Sequence, residues 1–438
     1  MTHHIHIQSD TIAGPMAAAY LATYLPANSF KISINLTQTL KHNALFGTAH
    51  AHIKRFNKSI KLKELDFIQR TSAQFKLSER YHGFGSKPFH LPFADYGLVL
   101  EGVPLYRLRQ VLGKSNHPSD LSPYCLPVLA AEADRFLLPD SKGRPILADY
   151  NYGYHFCVQS YADLLMEIAL SKGVQNASTF NNPDLFIDAQ AADCFDHDWS
   201  TLGLGGSYSQ AKHDPYKKSV ANFEKHEDGY RLCYKTQAQT IALNVNRKSG
   251  DAIGLPSGRE DLAWQGKTLM IGPAASGFEP ILGLPLLSTQ LDCERLIALF
   301  PPTLTALETR APEAREYNRK WISSSDRLRD FQLLLLSDAL TDDAKAKIDL
   351  FTSNGHLNRL DDDDILLEHW IPMLLGRDHM PARVDALAAS VDKDAMTKQL
   401  DEMKSFIQKT VKSMPHVDDF ISKTCPARPT LELKSSGI

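Results

Sequence analysis

Cysteine is sparse and scattered: the six residues, at positions 125, 157, 194, 233, 293 and 425, form no CxxC pair. This excludes the common zinc motifs and a secreted disulfide framework, and it predicts reduced thiols in a cytoplasmic protein. Neither sign of charge is in excess. A formal net charge of -3 gives no electrostatic basis for binding nucleic acid or an acidic membrane surface. No apolar run approaches the roughly 18 residues of a membrane span. The opening Met1-Thr-His-His-Ile-His-Ile lacks the basic and apolar regions of a signal peptide. Internal repeats, low-complexity stretches and a Gly-x-Ser-x-Gly nucleophile elbow are also missing. No metal site is predicted. His3, His4 and His6 read as an exposed cluster, Glu368-His369 lacks the second histidine of a zincin helix, and Asp361 to Asp364 reads as a solvated helix start.

What remains is an ordinary globular composition, 43% hydrophobic and 23% charged, and 438 residues can bury one large core or two joined ones. Ile5-His-Ile-Gln reads as a buried strand, the run from Gly14 to Leu25 as a helix with Pro15 in its first turn, and Lys31 to Leu36 as a second strand. That order predicts a βαβ opening of Rossmann type. A helix is expected to begin at His155, and strands over 184–188, 239–246 and 268–271. Gly203 to Ser207 reads as a flexible loop. Beyond Pro301-Pro302 the pattern turns mainly helical, and the stretch from Cys425 to Ile438 reads as an irregular tail.

The most informative stretch is Leu269-Met-Ile-Gly-Pro-Ala-Ala-Ser-Gly-Phe-Glu-Pro280, with Ser288-Thr289 beyond it. Small residues at a strand-to-helix junction let a ligand approach the backbone, and the helix start beyond them points unpaired N–H groups at an anion. Other landmarks occur in order from residue 5 to about 390. They are Gln74-Phe-Lys-Leu, Tyr81-His-Gly-Phe-Gly with Phe93 and Gly97, Tyr152-Gly-Tyr-His-Phe with Ala162-Asp-Leu-Leu, and Asp184-Leu-Phe-Ile-Asp. Tyr317-Asn, Leu328-Arg-Asp-Phe, and Trp370 with Leu375-Gly-Arg and Met380-Pro complete the set. Together they resemble the flavin-dependent tryptophan halogenases.

The resemblance implies an α/β fold: a Rossmann-like FAD-binding core of the flavin monooxygenase and halogenase type with an inserted mixed sheet over residues 1–300. A mainly helical C-terminal region over 301–438 packs on it. It implies FAD, delivered as FADH2 by a flavin reductase, with oxygen and chloride or bromide, and an aromatic small molecule such as an indole as substrate. Lys76 is the implied catalytic residue, although a lysine in Phe75-Lys76-Leu77 could equally face solvent. Ser9, Thr11, Ala13, Gly14, Gly272, Ala274 and Ala275 take the cofactor-binding positions, and Ser288 and Thr289 the halide positions. A homodimer, or a heterodimer with a paralogous halogenase, is expected.

The chain also departs from the family pattern. Where the family has Gly-x-Gly-x-x-Gly, this chain has Ser9-Asp-Thr-Ile-Ala-Gly14. A left-handed backbone at Ser9 or Thr11 would cost roughly 1–2 kcal/mol each. Asp10 would set a carboxylate beside the diphosphate. No acid ends the 31–36 strand to take the ribose hydroxyls, and Asn35 is the nearest polar group. Pro273 replaces a polar residue, and the catalytic glutamate position falls on Leu282 or Leu287. Glu279 belongs to the preceding Glu-Pro and is not that acid. Gln290 follows Thr289 where a glycine is expected, and the Gly-Trp-x-Trp-x-Ile-Pro block is missing. Three outcomes follow: flavin-dependent halogenation, another flavin-dependent oxidation, or a non-catalytic family member acting as a partner or scaffold.

Overall fold

Alternating apolar residues from His3 to Ser9 form the central strand of a six-stranded sheet, because both of its faces are covered. It pairs in parallel with Phe30–Leu36 on one side and Leu185–Ala189 on the other, the register setting Ile7 between Ile34 and Ile187. Gln175–Asn176 extends one edge, while Thr268–Met270 and then Trp264–Gln265 extend the other. The connecting helix Ala13–Tyr24 is buried along its first nine residues, Ala13 to Leu21. It lies against the helices Val158–Ser171 and Leu284–Ala298. The predicted Rossmann-type opening is therefore present.

This computed structural model describes residues 2–97, 99, 102–140, 145–148, 150–178, 182–211, 216–248, 253–301, 304, 312–357, 364–365, 367–384 and 386–425. The acidic run at 361–363 and the tail from 426 onward lie outside the described residues.

A second sheet of seven strands contains both antiparallel pairs and one parallel pair, Ala221–His226 with Ser78–His82. It is the inserted mixed sheet. In one of two small three-stranded sheets among the described residues, Gly153–His155 pairs antiparallel to both Thr48–Ala49 and Gln74–Lys76. His155 thus belongs to a strand, and the helix begins at Val158. The extended geometry is the better fit because Gly153-Tyr-His is buried on every residue and has a partner strand on each side. Gly206 and Ser207 likewise open the strand Gly206–Ala211 rather than staying in the loop.

Beyond Pro301 the described elements are helices: Pro312–Leu336, Asp342–Asn354, Leu367–Gly376, Ala386–Ala389, Lys393–Ser413 and Val417–Thr424. In Lys393–Ser413 the buried residues are Met396, Leu400, Met403, Ile407 and Val411, a spacing of three and four that keeps one stripe inward. Each such side chain contributes about 1.5–3 kcal/mol on burial. Asp392 caps this helix by accepting from the N–H groups of Asp394 and Ala395, which fixes where it starts.

Candidate active site

The chain leaves the small sheet at Lys76 and enters the mixed sheet at Ser78. This change of sheet brings Lys76 and Glu79 to the same side. Lys76 Nζ donates to Glu79 Oε1 at 2.9 Å and to Thr48 Oγ1 at 2.8 Å. The second oxygen of Glu79 accepts from the Tyr81 hydroxyl at 2.6 Å and from the Leu282 N–H at 2.9 Å. Both charged side chains are 0% exposed, so the solvent-facing alternative for Lys76 is ruled out. Burial pushes the Lys76 ammonium below the usual lysine range, and Glu79 opposes that shift.

Around this pair stand Phe93, whose ring centroid is 5.3 Å from Lys76 Nζ, and the buried histidines His50, His155 and His369. All three histidines are held neutral, first by burial and then by neighbouring cations that include Lys76; His369 is pushed down to about 3. The centre is therefore an ion pair wrapped in neutral rings. Breaking such a pair on one side leaves a buried uncompensated charge.

Leu282 and Leu287 are both buried and apolar, so neither alignment supplies a glutamate there. Leu282 has φ 50, an uncommon conformation for a branched residue, and that bend aims its N–H at Glu79. Glu279 is tied elsewhere. Its carboxylate accepts from Arg247 at 2.6 and 3.1 Å and from the Gly205 N–H at 3.0 Å. It forms a buried ion pair with Arg247 and does not reach Lys76 in the hydrogen bonds of its carboxylate.

The βα turn gathers Ser9, Thr11, Ala13 and Gly14, but in an unexpected way. Ser9 Oγ accepts from the N–H groups of Thr11 and Gly14, each at 3.2 Å, and donates to Ala189 O at 3.0 Å. Thr11 Oγ1 accepts from the Ala13 N–H at 3.2 Å and donates to Ala189 O at 2.7 Å. Neither residue has a positive φ, so the anticipated left-handed strain does not arise. The hydroxyls take the N–H groups that a diphosphate would otherwise use. Gly14 is required for a new reason: a Cβ there would fall 2.3 Å from Ser9 Cβ. Asp10 closes the turn, accepting from the Ala191 N–H at 2.7 Å and pairing with Lys41 at 2.8 Å. Asn35 is spent on Gln8, at 3.1 Å.

The late motif does meet this turn. A Cβ on Gly272, whose φ is 56, would lie 2.7 Å from Thr289 Oγ1 and 2.9 Å from Ala13 Cβ, so three predicted site residues converge. Their polar groups are already engaged. The Gly272 N–H donates to Asp292 at 2.9 Å, and the Ala274 and Ala275 N–H groups to Ile271 and Gly272 carbonyls. Asp292 itself is pushed up to about 6, by burial first, with Arg295 opposing. Ser288 and Thr289 donate back to Pro285 O, at 3.4 and 2.9 Å, within their own helix.

Beside Pro273 lies a cavity of about 30 Å³, lined among others by His42, Phe46, Ala192, Phe278 and Pro285. That is about one water, against about 300–1,000 Å³ for ordinary ligand sites. In this arrangement the residues fit neither the diphosphate nor the ring system of a flavin dinucleotide.

The family model described as tryptophan halogenase matches residues 5–181 and 233–393, and the chain belongs to that family. Its fold is similar to BrvH, a flavin-dependent halogenase from Brevundimonas sp. BAL3, with TM-score 0.84 and 19% identity over 97% of this chain and 100% of that one. Xcc4156, a flavin-dependent halogenase from Xanthomonas campestris, gives TM-score 0.83 and 18% identity over 98% and 99%. A tryptophan 6-halogenase from Streptomyces toxytricini gives 0.78 and 16% over 96% and 99%. At these identities the likeness is one of fold. None of the curated proteins matches it in sequence. Among the described residues no helix is long and apolar enough to cross a membrane, and no group of three or more His, Cys, Asp or Glu could hold a metal ion.

Glu79 is the site residue that the sequence reading missed. A glutamate three positions beyond a strand lysine gives no sign that both point inward.

Proposed function

We propose that this chain is a non-catalytic member of the tryptophan halogenase family, serving as a partner or scaffold subunit rather than halogenating an aromatic substrate alone. The observation that carries the reading is the closure of the centre: Lys76 is 0% exposed and committed to Glu79 and Thr48. With two of its three N–H donors committed and no solvent-exposed surface, the ammonium offers a reacting group no open approach. The self-capped turn at Ser9 and Thr11 and the inward hydroxyls of Ser288 and Thr289 support the same reading. The fold around them is intact, which is what a binding or scaffolding role requires. Symmetric pairing with a second copy or with a paralogue is the expected assembly.

A second reading is favoured by the pair itself. A cation and a carboxylate 2.9 Å apart in an aromatic enclosure could serve aromatic halogenation if the pair opened. The test is a reaction containing a flavin reductase, FAD, NADH, bromide and indole, read by mass spectrometry, with Lys76→Ala as control. The natural chain is expected to form no brominated product that depends on Lys76. Product formed by the natural chain and lost in Lys76→Ala sinks it in favour of the second reading.

A further inference from the structure

Four lysines fall within ten residues, at 54, 58, 61 and 63, in a chain whose net charge is -3. They lie on the helix Ile53–Ser59, in the turn after it, and at the N-cap of the helix Glu64–Thr71. The fold turns all four onto one groove of about 490 Å³, within the range of small-molecule sites. Phe67 and Tyr154 line it too, their rings edge to face at 5.2 Å. Among the described residues that line it the one acid is Glu64, which already accepts from the Tyr152 hydroxyl at 2.9 Å and from the Tyr154 hydroxyl.

This arrangement is costly if nothing occupies it. Lys54 and Lys58 are four apart on one helix, where like charges destabilise. Lys54 Nζ finds only a neutral acceptor, the Asn151 side-chain oxygen, and stands 3.5 Å from the Tyr152 ring centroid. Burial pushes its ammonium down to about 8, and Glu64 offsets only part of that. Among the described residues none of the four is in an ion pair.

We propose that this groove binds a compact polyanion bearing phosphate groups, with Lys54, Lys58, Lys61 and Lys63 as its counter-charges. Lysine is a compact point charge suited to phosphate oxygens, and four of them converging on one concavity match several phosphates better than a single carboxylate. A nucleic acid would need successive rings presented for stacking, whereas the two rings here, Phe67 and Tyr154, stand edge to face at 71°. The site is separate from Lys76 and Glu79 and does not depend on whether the centre is catalytic.

The experiment is calorimetric titration of the full chain with inorganic tripolyphosphate at low and raised salt. We expect saturable binding tighter than about 0.1 mM, weakened by salt and reduced at least about tenfold in Lys58→Gln/Lys61→Gln. Both of these side chains are exposed, so the fold tolerates the change. No saturation up to about 1 mM, or undiminished affinity in the double variant, overturns the proposal. Tighter, length-dependent binding to single-stranded DNA than to tripolyphosphate overturns it too, and assigns the lysines to nucleic acid.

Discussion

Glu79 holds Lys76 at 2.9 Å across the point where the chain passes from one sheet to another, and neither side chain touches solvent. The carboxylate also accepts the Leu282 N–H, so it lies against the segment in which the family resemblance implies a glutamate. The centre of this protein is thereby neutral overall and internally bonded.

Glu79→Gln leaves the Lys76 charge buried without its partner. A loss of about 3–5 kcal/mol in unfolding free energy is expected by urea denaturation. Adding Lys76→Met to that variant removes the orphaned charge, and should recover at least about 1 kcal/mol. A loss below about 1 kcal/mol in Glu79→Gln would show that the pair does not matter to the fold.

Leu282→Glu sets a carboxylate at a position that is 0% exposed and already bonded through its backbone to Glu79. Like charges in low dielectric repel, so the variant should lose several kcal/mol rather than gain halogenation. Stability within about 1 kcal/mol of the natural chain, together with brominated indole, would contradict this.

Acid should weaken the fold well above the carboxylate range. His50, His155 and His369 titrate far below the ordinary value of about 6.5 when folded, because burial favours the neutral ring. The unfolded chain therefore binds more protons than the folded one between the two values. The stabilisation is complete above pH about 6.5 and is lost as pH falls through the folded values, about 3 for His369. Each histidine contributes a slope of up to about 1.4 kcal/mol per pH unit, and His369→Gln should flatten the profile measured by thermal unfolding. A flat profile from pH 7 down to 4 would exclude buried neutral histidines.

Ser9→Ala removes the acceptor for the Thr11 and Gly14 N–H groups. A cost of about 1–2 kcal/mol is expected, as for loss of a helix cap, with faster amide exchange at those two positions. Unchanged exchange there would mean that the hydroxyl is not the cap.

The fold was legible because its signals are local and regular. The apolar alternation at Ile5–Ile7 and the small-residue helix after Gly14 could form only a buried βαβ, and the landmark order carried the rest. Glu79 was not legible: in one continuous strand residues three apart face opposite sides, and only the change of sheet at Leu77 reverses that parity. Ser9 and Thr11 misled in the opposite sense. In sequence they look like glycine replacements under strain, whereas short hydroxyl side chains can bond the backbone two residues on and relax the turn. The Lys54 groove depends on Tyr152 and Tyr154, nearly a hundred residues away, and no local pattern joins them.

The central claim is most directly tested by titrating the purified chain with FAD and, under anaerobic conditions, with FADH2, following heat and flavin fluorescence. The natural chain should show no saturable binding up to about 1 mM, whereas Ser9→Gly/Asp10→Ala/Thr11→Gly, which frees the turn's N–H groups, should bind at about 0.1 mM or tighter. Binding by the natural chain at about 1 µM or tighter would contradict it, and would show that the turn opens to admit the dinucleotide.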